Sequence, residues 1–148
     1  MNKYSPDDTG IHFPEHTADV WIQASAPDLS GLFKRMLNGL YLLISDEYSL
    51  KGYRHYEGEK MEGALDVIMV DFLSELLYLL DGEDSIILEP DIDVNNEKEN
   101  YILSITGKRY ICEPISSEGG VEVKAITHHG SEVKKTGDGY ISRILVDI

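Results

Sequence analysis

Glu15-His16-Thr17-Ala18-Asp19 sets three hydrogen-bonding side chains beside an acid, just ahead of an apolar segment. Two readings stand. Asp19 or Thr17 can bond local amides in a turn, or the loop can hold a cation or ligand. The far end of the chain, Ile144-Leu145-Val146-Asp147-Ile148, carries an acid at the second-last position of an apolar strand. Strand alternation turns Asp147 away from Val146 and Ile148 and toward the face of Leu145 and Arg143. Asp147 then pairs with Arg143, lies exposed at a fraying end, or binds a metal. In the metal reading, Asp147, a carbonyl or terminal carboxylate of Ile148, and Asp19 supply only oxygens. That is the donor set hard cations such as calcium or magnesium take, with waters filling the shell.

Glu122 to Gly130 adds Lys124 and the pair His128-His129. Adjacent strand residues face opposite ways, so one zinc ion can take both histidines only where the strand has ended, and no cysteine pair is near. The other reading is a strand end with one inward and one solvent-facing histidine. Lys124 falls on the strand face of Ile126 and His128, where it contacts a carboxylate or a partner, or simply snorkels. Asp71, Glu75 and Tyr78 share one helical face at i, i+4 and i+7. That face is either solvated or an acidic dock for a basic partner.

Several chemistries are excluded by what is missing. No Gly-rich phosphate loop, Gly-x-Ser-x-Gly elbow or His-Glu-x-x-His occurs. The single cysteine, Cys112, lies in an apolar strand with no cationic neighbour in sequence, so it is a poor nucleophile. A metal-dependent hydrolase would use His16 as base with Asp19 and Asp147 on the metal. Two carboxylates are few for a two-metal centre, and no oxyanion motif accompanies them.

These residues need elements to hold them. Val20 to Ala26 predicts a strand. Pro27 and Asp28 open a helix whose apolar positions, Leu29, Leu32, Phe33, Met36, Leu37, Leu40, Tyr41 and Ile44, recur every three or four residues and end near Ser45-Asp46. Residues 50–59 predict an edge strand. A second helix runs from about Glu62 to a glycine cap at Asp81-Gly82. Ile86 to Val94, Tyr101 to Ile111, Val121 to Thr127 and Tyr140 to the end predict further strands, with polar turns at Asn95 to Asn100 and Thr136 to Gly139. The expected fold is α+β: a two-layer sandwich with two helices on one face of a mixed five- to six-stranded sheet, in one domain over residues 1–148 with 1–10 loosely ordered.

Composition narrows the partners. The chain has 148 residues, of which 42% are apolar and 27% charged, as in globular proteins rather than disordered ones. Its net charge of −14 repels phosphate backbones and favours a basic protein surface or a cation, so direct nucleic-acid binding is not expected. One cysteine, no signal-like start and no apolar run of about 20 residues predict a reduced, cytoplasmic protein without a membrane span.

Four segments in order, Glu15 to Asp19, Asp71 to Asp81, Val123-Lys124-Ala125-Ile126-Thr127 and Val146-Asp147-Ile148, together resemble the archease family. The resemblance implies a small acidic protein with helices packed on a sheet and no catalysis of its own. It implies a calcium-type metal held by Asp19, Asp147 and an oxygen of Ile148. It implies a partner, the tRNA-splicing RNA ligase, which joins exon halves with GTP and manganese and whose guanylylation and turnover the accessory promotes. Lys124 matches a family lysine tied to that activity, and His129 a family histidine. Some members are linked instead to a tRNA cytosine methyltransferase. The chain departs from the family at His128, where an aromatic is usual, and at Ser74 in the second helix.

Overall fold

The computed structural model describes residues 3–13, 19–115 and 120–148. Its elements run β1 (Lys3–Tyr4), β2 (Ile11–His12), β3 (Asp19–Ala26), α1 (Leu29–Ile44), β4 (Tyr48–Glu57), β5 (Met61–Gly63), α2 (Leu65–Glu83), β6 (Ser85–Glu97), β7 (Asn100–Pro114), β8 (Ala125–Thr136) and β9 (Gly139–Asp147).

Helix α1 starts where the sequence places it. Asp28 is extended and its carboxylate accepts from the Gly31 amide at 2.7 Å, satisfying one of the free donors of the first turn. Helix α2 starts three residues later than expected, because Met61–Gly63 is taken into a sheet by pairing with Leu103 to Tyr101. It also runs past Gly82. The left-handed residue that ends it is Asp84, with φ of 47°, a conformation aspartate tolerates better than most side chains.

The strands do not form one mixed sheet on one side of the helices. Among the described residues they form two sheets, of five and four strands, and every pairing is antiparallel. In the first, β7 is the hub: β6 lies along one side, and β4 and β5 share the other. The second runs β2-β3-β9-β8. Each helix packs against both sheets, α1 on β3, β9 and β6, α2 on β8, β6, β5 and β7. The helices are therefore a middle layer, and the expected two-layer sandwich is corrected to two sheets with helices between. The physical reason is the width of the apolar surface on α2. Val70, Leu77 and Leu79 are buried beside Ile68, Met69, Phe72, Leu73, Leu76 and Leu80. A helix apolar over so much of its circumference needs cover on more than one side.

One hydrophobic cluster joins the layers, with Ile22, Leu32, Phe33, Met36, Ile68, Phe72, Leu103 and Ile144 among its members. Phe33 and Phe72 meet edge to face at 5.3 Å between the helices. The buried phenols are satisfied: Tyr48 donates to the Tyr41 carbonyl, and the Ile87 amide donates to Tyr41 Oη at 2.9 Å. These bonds tie α1 to β4 and β6 inside the core.

The expected polar turn at Asn95 to Asn100 shrinks to Lys98-Glu99, with Glu97 paired to Asn100 and Lys98 at φ of 58°. Backbone pairing carries both strands through the polar residues. The tip at Gly137-Asp138, between paired Thr136 and Gly139, is where the sequence puts it.

Candidate functional site

The second sheet brings the two ends of the chain together. β3 and β9 pair residue for residue from Asp19 opposite Asp147 to Ala26 opposite Tyr140. Directly opposed residues of an antiparallel pair share a face, so both carboxylates stand on the outer face at one end of this sheet. Asp19 is half-buried and Asp147 exposed, while Val146 is fully buried on the other face. Asp147 stands on the face opposite Val146, as its alternation predicts, and of the readings left open it is exposed. Two like charges placed directly across a ladder cost stability.

Arg143 does not neutralise them. Its guanidinium carbon lies 4.1 Å from the centroid of the Trp21 ring, a cation–π stack farther along the same face, with Trp21 two positions from Asp19 and Arg143 four from Asp147. Leu145, opposite Trp21, is buried here as well. Beside it, past its partner Thr127, the β8–β9 register shifts before Glu132. Ser131 Oγ closes this bulge by donating to the Thr127 carbonyl at 2.6 Å and accepting from the Leu145 amide at 3.2 Å. Gly130 sits at φ of 69°, and a side chain there would start 2.9 Å from the Trp21 ring. Sequence reasoning named Arg143 and Leu145 on the face of Asp147 but missed the stack of Arg143 on Trp21 and the bonds of Ser131 to Thr127 and Leu145.

The histidines belong to the bulge. His128 and His129 are both exposed, which corrects the expected inward and outward split. The bulge interrupts the alternation on which that split depended. Lys124 is also placed differently. The ladder of β8 begins only at Ala125, opposite Asp147, and Lys124 is exposed while Ile126 is buried, so the two do not share a face. The expected strand from Val121 gives way because the Val121 amide donates to the Leu43 carbonyl at the end of α1, at 3.1 Å. The Lys124 amide donates to the Asp147 carbonyl at 2.8 Å, joining this lysine to the acid pair through the backbone.

The Lys124 side lines a shallow depression of about 440 Å³ together with Ser74, Leu77, Tyr78, Asp81 and Gly82 of α2. Asp71 and Tyr78 are exposed and Glu75 is half-buried. Glu75 lies close enough to the Tyr56 phenol to add to the effect of burial in raising its pKa. Burial, helped by Glu122, likewise pushes the Asp81 carboxyl above the usual carboxylate range. Acids therefore flank α2 on two sides, Glu75 toward Tyr56 of the first sheet and Asp81 toward Glu122 before β8.

His16 lies outside the described residues, as do Glu15, Thr17 and Ala18 of its motif. Ile148 is half-buried and packs against the core. Among the described residues, no group of three or more His, Cys, Asp or Glu side chains is close enough to share a metal. Burial pushes the Cys112 thiol up to about 12, which keeps it protonated and unreactive. Among the described residues, no helix is long and apolar enough to cross a membrane.

Residues 12–148 match the Archease protein family (MTH1598/TM1083). The chain is similar to protein archease of Methanosarcina barkeri, 32% identical over 138 residues covering 90% of this chain and 92% of that one. It is also similar to protein archease of Archaeoglobus fulgidus, 31% identical over 140 residues covering 92% and 97% of the two chains. The solution structure of Methanobacterium thermoautotrophicum protein 1598 superposes with a TM-score of 0.66 at 25% identity, over 94% of this chain and 99% of that one.

Proposed function

Because the chain belongs to the archease family, we propose that it is a non-catalytic accessory protein that activates a tRNA-splicing RNA ligase. The observation that carries this reading is the register of β3 on β9. It sets Asp19 against Asp147 on a solvent-open face, with Lys124 fastened to the Asp147 carbonyl.

A hard divalent cation such as calcium suits that pair. The donors are oxygens, they lie at an open sheet end where waters complete a shell, and sharing a cation relieves their repulsion. Asp19 and Asp147 would hold it, and it would supply positive charge at the rim. The chain's own side chains do the docking. Asp71 and Glu75 present an acidic face to a basic, RNA-handling enzyme, with Asp81 a further acid beside Lys124, and the net charge of −14 favours such docking over binding RNA itself. Lys124 stands at the junction of that face and the acid pair, where it can reach an anion in the partner's site.

The test adds the chain to its cognate ligase below stoichiometric amounts and follows ligase guanylylation and joined tRNA, with calcium and with chelator. Stimulation over several turnovers is expected, falling to the level of ligase alone with Asp147→Ala. Undiminished stimulation by the variant would remove the acid pair from the mechanism. No stimulation of an active ligase would move the reading to a modulator of a tRNA cytosine methyltransferase.

A further inference from the structure

The strand that carries Asp147 is held unevenly on its two sides. On one side β9 pairs with β3 without interruption from Tyr140 to Asp147. That side also brings Asp19 against Asp147, so repulsion works to part the ladder where the acids stand. On the other side β8 pairs Ala125, Ile126 and Thr127 with Asp147, Val146 and Leu145, and the register resumes only at Glu132 opposite Arg143. His128 to Ser131 stand against Ile144 alone. The short segment of β8 facing the acid is thereby cut off from the rest of its hairpin.

Ser131 rejoins the two parts. Its Oγ accepts from the Leu145 amide at 3.2 Å and donates to the Thr127 carbonyl at 2.6 Å, so one hydroxyl spans both strands in the row next to the acids. The bond of the Lys124 amide to the Asp147 carbonyl, at 2.8 Å, holds the other end of the same segment. Gly130 lets the bulge take this path. Its φ of 69° is one that glycine adopts freely, and a Cβ there would start 2.9 Å from the Trp21 ring. Trp21 lies opposite Leu145, in the row that Ser131 bridges. The glycine and the serine each have a specific task, which is how a bulge behaves as a built feature beside a site.

We propose that Ser131 is a positioning residue for the acid pair: its hydroxyl keeps the end of β9 in register, and so holds Asp147 against Asp19 where the two can share a divalent cation. The inference rests on the cation reading of that pair. Removing the hydroxyl leaves the Leu145 amide and the Thr127 carbonyl without their shared partner, in a row where Leu145 is buried and Thr127 half-buried. The segment opposite Asp147 then keeps only one of its two end bonds, against a repulsion that never relaxes without a cation.

The experiment titrates calcium into the intact chain by calorimetry and follows amide hydrogen exchange in the same samples. Ser131→Ala should bind calcium about tenfold more weakly than the parent, with faster exchange at the Leu145 amide. Ser131 lies outside the left-handed region, so Ser131→Thr keeps the hydroxyl without strain and should restore both readings. Asp28→Ala weakens the fold beyond the opposite end of β3 and should bind calcium as the parent does. Parent-like affinity in Ser131→Ala overturns the inference and leaves the acid pair standing. So does a loss that Ser131→Thr does not restore, or one that Asp28→Ala shares. A parent that binds no calcium, or whose binding survives Asp147→Ala, overturns the reading of the acid pair and the inference with it.

Discussion

At the scale of single residues, alternation along the last strand was enough to orient Asp147, because a period of two is a property of any strand whatever it pairs with. Its partner was not legible. Whether Asp147 met Arg143, solvent or another acid depended on β3 lying beside β9 in one particular register, which joins positions 128 residues apart in sequence. Burial reshapes other groups in ways the sequence states only coarsely. Cys112 rises from 9.0 and Tyr4 from 10.0, each to about 12, with desolvation as the main cause and, secondarily, Asp84 and Glu113 near the thiol and Asp7 near the phenol. Both groups prefer to stay protonated in the fold. The unfolded chain therefore loses these protons first as pH rises, and stability is lost between about pH 9 and pH 12 while it is unaffected by them below that window. Denaturant melts at stepped pH should show this decline, and replacing Cys112 by Ser should reduce its lower part.

At the scale of elements, both helices and the longer strands were legible because each rests on a local period or cap. Asp28 is an example: its carboxylate-to-amide bond at Gly31 closes the first turn of α1. Asp28→Ala should cost about 1 kcal/mol of stability, measured as a lower denaturation midpoint at unchanged slope. The misread ends share one cause, competition from partners distant in sequence. Met61–Gly63 leaves the expected start of α2 for β7, Val121 gives its amide to α1, and the turn at Lys98-Glu99 tightens because β6 and β7 zip to their ends. The bulge after Thr127 is a further instance. It displaces two histidines from the alternation expected of them, its serine accepts from the Leu145 amide, and its glycine lies close against Trp21.

At the scale of the whole molecule, the helices are held between two antiparallel sheets, and Phe72 at their contact is almost fully buried. Phe72→Ala should cost about 3–5 kcal/mol, seen as a large drop in the thermal midpoint, because the void opens where both layers rely on the same ring. The sequence by itself determined the class of elements, the apolar stripes, the acidity and the placing of Asp147 on the strand face opposite Val146. It also carried four segments resembling archease, a family that the full-length relatives confirm. Those properties are written in near-neighbour spacing and composition. Only the tertiary structure decided the division into two sheets, the meeting of Asp19 with Asp147, and the bridging of Thr127 and Leu145 by Ser131. Each of these depends on which strands pair and in which register. That choice is set by burying the broad apolar surfaces of two helices together, and no local stretch of sequence records it.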